Sequence, residues 1–219
     1  MSALSSSRPL LCYVTDRSTV ASPSPCESVL EKIAAASAAW VDLIQLREKD
    51  LSASSLAALA RRALRLHPPP RLLLNDRLDV ALSTHCAGVH LSERSLPVSE
   101  ARRIINDAHF DQPHPFLVGV SCHSLDAALV AVSAGADYMF FGPVFATPSK
   151  ASFGPPQGLA RLAEVCRSVS IPVLAIGGIT LQNASSCMTA GASGLAAIRL
   201  FQDSPDLPAL VGTLRSLAP

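Results

Sequence analysis

The chain has almost no net charge: 18 Lys and Arg against 17 Asp and Glu leave +1 across 219 residues. Nothing global therefore draws nucleic acid or an anionic membrane surface, and any anion site has to be local. Charged residues make up only 16%, against 49% hydrophobic. That balance argues against a disordered chain and supplies a sizeable core. No apolar run reaches membrane-spanning length, so no contact with a membrane is expected. The opening MSALSSSRPLL lacks a charged segment followed by a long apolar stretch, so no signal peptide is expected either. Cys12, Cys26, Cys86, Cys122, Cys166 and Cys187 include no CxxC pair and no His/Cys cluster at zinc spacing. Several lie in apolar stretches, where Cys behaves as a small hydrophobe, and the expectation is reduced thiols in a cytoplasmic protein. No linker divides the sequence, which reads as one domain over residues 1–219, with ASPSP (Ala21–Pro25) as a loop.

What is present is an alternation. Short apolar runs at Leu10–Thr15, Leu43–Arg47, Arg71–Asn75, Gly88–Leu91, Leu117–Ser121, Tyr138–Phe141, Pro172–Ile176 and Gly194–Ile198 make eight candidate strands. They are nearly continuous in apolar character, as parallel strands covered on both faces require. Helical spacing marks Ser28–Ala39, Ser54–Leu66, Glu100–Ala108, Asp126–Ala134, Gly158–Ser168, Leu181–Ala190 and Pro208–Leu217. Ser124 and Thr180 are N-cap candidates, and Gly135 and Gly191 are stop signals. Pro68-Pro69-Pro70 forbids continuation of the second helix. Eight β units with intervening helices point to an α/β fold, a (β/α)8 TIM barrel, with a doubly wound open sheet as the alternative. AGADYMFFG and AGASGLAAI look alike, which is consistent with two equivalent βα units but too short to prove a repeat.

In such a barrel, chemistry sits where strands end. The segment GADYMFFGPVFATPSK places Thr147, Ser149 and Lys150 just past a strand, where hydroxyls and a cation suit a phosphate or diphosphate. An ordinary turn-rich loop is the plainer alternative. Strand two ends in QLREK, whose alternation aims Gln45, Arg47 and Lys49 to one side, while Glu48 and Asp50 read as a surface charge run. Strand three ends in Asn75-Asp76; Asp76 could cap the next helix or serve as a carboxylate ligand to Mg²⁺, which takes one or two carboxylates plus phosphate oxygens. Asp79 reads as a helix-surface or ion-pair residue. Strand five ends in Ser121-Cys122-His123-Ser124. His123 is either a general acid/base or a packed or surface residue, and Cys122 lacks an activating pattern. Gly177-Gly178 lets backbone N–H groups approach a phosphate, and Arg199 either adds a phosphate contact or makes a rim salt bridge.

Laid out in order, these pieces resemble the thiamin phosphate synthase/TenI family. The likeness runs from YVTDR (Tyr13–Arg17) through QLREK (Gln45–Lys49), NDRLDVAL (Asn75–Leu82), GVHL (Gly88–Leu91), GVSCHS (Gly119–Ser124), GPVFATPSK (Gly142–Lys150) and AIGGI (Ala175–Ile179) to AGASGLAA (Ala190–Ala197). It implies an enzyme of thiamin biosynthesis that joins hydroxymethylpyrimidine diphosphate to thiazole phosphate and releases diphosphate. Carried over, Gln45, Arg47, Lys49 and Asn75 match the pyrimidine diphosphate site, and Asp76 matches a Mg²⁺ ligand. Thr147, Ser149 and Lys150 match the phosphate loop, Gly178 a phosphate-cradling amide and Ser121 a site hydroxyl. His123, Ser121 and Lys150 stand as the catalytic candidates, and Arg199 as a substrate-binding one. The implied partners are small phosphorylated pyrimidine and thiazole substrates, and the family admits dimers or trimers.

Two positions depart from the pattern. Ser95 stands where the synthase pattern has a second Mg²⁺-binding aspartate, with Glu93 two residues out of phase, and Arg199 stands where a serine is usual. These departures open a second reading. TenI relatives are metal-independent thiazole tautomerases that use a histidine in the segment matched by His123. Retention of Gln45, Lys49 and Asn75-Asp76 favours the synthase. A non-catalytic thiazole phosphate-binding regulator and another phosphate-handling barrel isomerase are the remaining alternatives; the isomerase leaves QLREK and NDR unexplained.

Overall fold

The computed structural model describes residues 4, 7–108, 114–147 and 155–217. Eight parallel strands close into a barrel in chain order: β1 (Leu10–Val14), β2 (Leu43–Leu46), β3 (Leu72–Asn75), β4 (Gly88–Leu91), β5 (Leu117–Cys122), β6 (Tyr138–Phe141), β7 (Val173–Ile176) and β8 (Gly194–Ala197), with β8 pairing back to β1. Closure excludes the open sheet. The strands fall where apolar character places them, but Thr15, Arg47 and Ile198 lie just beyond strand ends and belong to the rim.

Between the strands run α1 (Pro25–Ala38), α2 (Ala53–Leu64), α3 (Leu78–Ser83), α4 (Val98–Asp107), α5 (Leu125–Ser133), α6 (Gly158–Ser168) and α7 (Leu181–Thr189), and α8 (Arg199–Gln202) and α9 (Leu207–Arg215) follow β8. Helix α1 starts earlier than its apolar period suggests because Pro25 occupies the first turn, where its missing N–H costs nothing. Ser124 caps α5, and Thr180 with Asn183 forms a capping box on α7. Helices α3 and α8 do not show in the sequence, since six and four residues are too few to display a 3.6 period.

Alternation divides the core. Leu10, Cys12, Val14, Leu43, Leu73, Leu117, Tyr138, Phe140, Leu174 and Ala196 fill the barrel, while Leu11, Ile44, Leu46, Val89, Met139 and Phe141 face the helices. Each large apolar side chain so buried contributes roughly 1.5–3 kcal/mol. Gly119 is the interior residue of β5 level with both His90 and Tyr138, and a Cβ there would overlap the Tyr138 ring.

At the N-terminal end, side chains close the barrel from below. Asp42 accepts from the Leu11 N–H at 2.8 Å and pairs with Arg215 at 2.7 Å. Asp137 does the same with the Val118 N–H at 2.7 Å and Arg102 at 2.6 Å. Ser193 accepts from the Val173 N–H at 3.4 Å. Asp137 and Ser193 each directly precede an even-numbered strand, and Gly135 and Gly191 before them have φ of 89° and 95°. The likeness of AGADYMFFG and AGASGLAAI thus coincides with equivalent turns. Among the described residues no helix is long and apolar enough to cross a membrane.

Candidate active site at the C-terminal mouth

The inward positions change from apolar to polar as the strands reach the opposite end. Gln45 is buried on β2, and its Nε2 donates to Asn75 Oδ1 of β3 at 2.8 Å. Asn75 Nδ2 donates to Asp76 Oδ2 at 3.0 Å, and Asp76 Oδ1 accepts from the Ser92 N–H beyond β4 at 2.6 Å. Asp76 has φ of 58°, and its own N–H donates to the His90 carbonyl at 2.9 Å. A non-glycine residue in the left-handed region persists where its surroundings fix it. Here β4 and the residue after it do so directly, through the His90 carbonyl and the Ser92 N–H, and β2 indirectly, through Gln45 on Asn75, and together they orient one carboxylate at the mouth. Asp76 is therefore not the N-cap of α3; that place belongs to Arg77, whose guanidinium pairs with Asp79 at 2.6 Å as a surface ion pair.

Past β2 the chain is held from the side. Thr15 Oγ1 donates to Glu48 Oε1 at 2.5 Å and accepts from the Arg47 N–H at 3.0 Å. The Arg17 N–H donates to Glu48 Oε2 at 3.0 Å. Glu48 is 5% exposed, which corrects its reading as part of a surface charge run. Burial pushes its carboxyl above the usual range, against the lowering effect of the Thr15 and Arg17 hydrogen bonds. Asp50 is exposed and pairs with Arg17. Arg47 lies 3.5 Å from Asp16, and Lys49 is exposed in the following turn. The expected trio is thus graded: Gln45 lies inside, Arg47 at the rim and Lys49 outermost.

On β4 and β5 lies a polar chain. His90 is buried, with Nδ1 3.0 Å from the Tyr138 hydroxyl and Nε2 2.9 Å from Ser121 Oγ. Burial pushes the imidazole down to about 3, so it is neutral. Ser121 is half-buried at the top of β5. Cys122 points away from the lumen, and burial pushes its thiol up to about 12, which agrees with discounting it as a nucleophile. His123 Nδ1–H donates to the Gly142 carbonyl, leaving Nε2 as the basic nitrogen, 3.9 Å from Glu93.

After β6 and β7 the chain makes a double layer. Gly177 and Gly178 have φ of 95° and 67°. The Val144 and Phe145 N–H groups donate to the carbonyls of Ile176 and Gly177 at 2.9 and 3.0 Å. A Cβ on Gly177 would overlap Pro143, and one on Gly178 would come within 2.7 Å of the Ala146 carbonyl. The glycines thus admit the loop after β6, while Asn183 Nδ2 holds the Gly178 carbonyl at 2.9 Å. Thr147 is half-buried at the end of this loop; Ser149 and Lys150 lie outside the described residues. Arg199 is exposed at the start of α8. Among the described residues no three or more His, Cys, Asp or Glu side chains form a metal cluster. Ser95 is half-buried beyond β4, and Glu93 is exposed beside His123.

Sequence reasoning passed over His90, Tyr138 and the Thr15–Glu48 anchor. A signal existed for His90: it shares the inward phase of Gly88, so GVHL puts an imidazole in the lumen.

The TMP-TENI family model, described as thiamine monophosphate synthase, matches residues 11–201. The thiamine-phosphate synthase of Methanoculleus marisnigri is 44% identical over 188 residues, covering 85% of each chain. That of Roseiflexus castenholzii is 38% identical over 215 residues, covering 97% of this chain and 90% of the relative. The solved thiamine phosphate pyrophosphorylase from Pyrococcus furiosus superposes with a TM-score of 0.77 at 30% identity, covering 95% of both chains. Motif order, barrel closure and these relatives agree: the chain belongs to the thiamine monophosphate synthase family.

Proposed function

We propose that this protein is a thiamin phosphate synthase, joining hydroxymethylpyrimidine diphosphate to thiazole phosphate with release of diphosphate. The observation that carries this reading is the hydrogen-bonded run Gln45–Asn75–Asp76, which gathers an amide, a second amide and an oriented carboxylate at the barrel mouth. The related synthases support it. In the reaction the methylene C–O bond breaks and its electron pair leaves with diphosphate. The lone pair of the thiazole nitrogen then forms the C–N bond, and neither step needs a proton from the protein. Stabilisation of the departing charge is the catalytic task. Lys49, Arg47, Thr147, Ser149, Lys150, the Gly178 amide and Arg199 serve the phosphates. Gln45, Asn75 and Ser121 hold the pyrimidine.

Mg²⁺ fits this donor set. Asp76 has one acceptor contact on each oxygen and lone pairs remaining, and a single carboxylate with phosphate oxygens and water is an ordinary Mg²⁺ shell. What Mg²⁺ supplies when bound is charge neutralisation on the diphosphate. With Ser95 in place of a second carboxylate, Asp76 would be the one protein carboxylate to hold the ion, and weaker metal binding would be expected in the free protein. None of the six cysteines forms a disulfide, which suits a reducing, cytoplasmic setting.

One observation favours a second reading. His123 has Nδ1 committed to Gly142 and Nε2 available as a base, the arrangement a thiazole tautomerase needs. The deciding experiment is product formation from the two substrates with Mg²⁺ and with EDTA. Mg²⁺-dependent thiamin phosphate is the expected result. Isomerisation of the thiazole carboxylate phosphate in EDTA, without condensation, would replace the synthase by the tautomerase. Thiazole phosphate binding without either reaction would leave a regulator. Lys150→Ala should weaken thiazole phosphate and diphosphate binding roughly tenfold at unchanged melting temperature, read by calorimetry.

A further inference from the structure

We propose that His90 is a positioning residue: with Tyr138 it keeps the Ser121 hydroxyl hydrogen available, so that this point of the site can donate to a substrate atom carrying a lone pair. The inference rests on the synthase reading for the identity of the substrate, but not for the direction of the hydrogen bonds.

The direction follows from counting hydrogens. Both nitrogens of the buried imidazole face hydroxyls, so the needs of those hydroxyls decide which nitrogen carries the ring proton. Tyr138 is fully buried, and among the described residues its hydroxyl hydrogen bond is the one to His90 Nδ1. A buried phenol that only accepted would leave its own hydrogen without a partner. Tyr138 therefore donates to Nδ1, the ring proton sits on Nε2, and Nε2–H donates to Ser121 Oγ. Ser121 has accepted its bond from below, and its hydrogen points to the mouth. Gly119 makes this possible. It lies in register with His90 on one side and Tyr138 on the other, and only the absence of a side chain lets the phenol cross β5. Phe140 stacks on the imidazole with centroids 4.0 Å apart and fixes its plane. The opposite tautomer would spend the Ser121 hydrogen on Nε2 and leave the hydroxyl only acceptor capacity.

The test begins with long-range ¹⁵N–¹H spectra of the full chain labelled at histidine, with the His90 signals assigned by His90→Gln. The expected spectrum shows an unprotonated, hydrogen-bonded Nδ1 and a protonated Nε2. A protonated Nδ1 would overturn the proposal whether or not the protein makes thiamin phosphate. In kinetics, Tyr138→Phe should raise KM for the pyrimidine diphosphate roughly tenfold and leave KM for thiazole phosphate unchanged. Ser121→Ala should do the same, and the double variant should be no worse than either alone. Equal shifts in both KM values, or additive losses, would mean general loosening and sink the positioning role. Absence of any condensation by the wild type would remove the synthase reading and leave the spectrum to decide the tautomer.

Discussion

The two ends of the barrel use the same side-chain chemistry to opposite purposes. At the N-terminal end, Asp42 and Asp137 each bind a strand N–H and an arginine, and Arg102 and Arg215 also donate to backbone carbonyls. These groups lock the strands in register. At the C-terminal end, Asp76 receives one contact per oxygen from neighbours that orient it, and no arginine is salt-bridged to it among the described residues. A carboxylate with an arginine on it is structural; one oriented by amides has capacity left for a ligand. The distinction is one of partners, not residue type.

The sharpest way to break this comparison is to remove a carboxylate at each end. Asp76→Asn should lower Mg²⁺-dependent turnover by about 10²–10³-fold with little change in urea unfolding. Near-full activity would make Asp76 another structural acid. Asp137→Ala should do the reverse. It strands the Val118 N–H and Arg102, so unfolding free energy should fall by about 1–3 kcal/mol while activity per folded molecule holds. Loss of activity at unchanged stability would erase the division between the two ends.

The barrel was legible because its signal is repeated. Strand after strand carries an apolar run bounded by turn residues, and a misjudged boundary of one residue leaves the topology intact. The site was legible where a polar residue ends a strand, as at Gln45 and Asn75. It was not legible where function depends on a residue's partners. Glu48 reads as solvent-facing from its neighbours Lys49 and Asp50, yet Thr15 and the Arg17 amide, more than thirty positions earlier, draw it inward. Tyr138 reads as core and is core, and its hydroxyl matters only because Gly119 is missing a side chain. Such contacts are created by barrel closure, and local periodicity carries no trace of them.

Two buried titratable groups near the mouth sharpen the comparison further, with smaller effects of opposite sign. Burial holds His90 near 3 against an ordinary 6.5, while the nearby Asp76 charge works the other way. The unfolded chain therefore binds more protons than the folded one across that interval, so stability present above about 6.5 is lost as pH falls toward 3. Glu48 is raised, chiefly by burial and also by Asp16, with Thr15 and Arg17 opposing. There the folded state holds the proton more tightly, and stability falls as pH rises from the ordinary 4.5 through the folded value. Unfolding measured at intervals from pH 3 to 8 should show a shallower acid limb in His90→Gln. In Glu48→Gln the same series should lose the component that declines above 4.5. An unchanged slope in His90→Gln would mean that the imidazole titrates freely, and the hydroxyl–imidazole–hydroxyl chain at the mouth would then be open to water instead of sealed within the barrel.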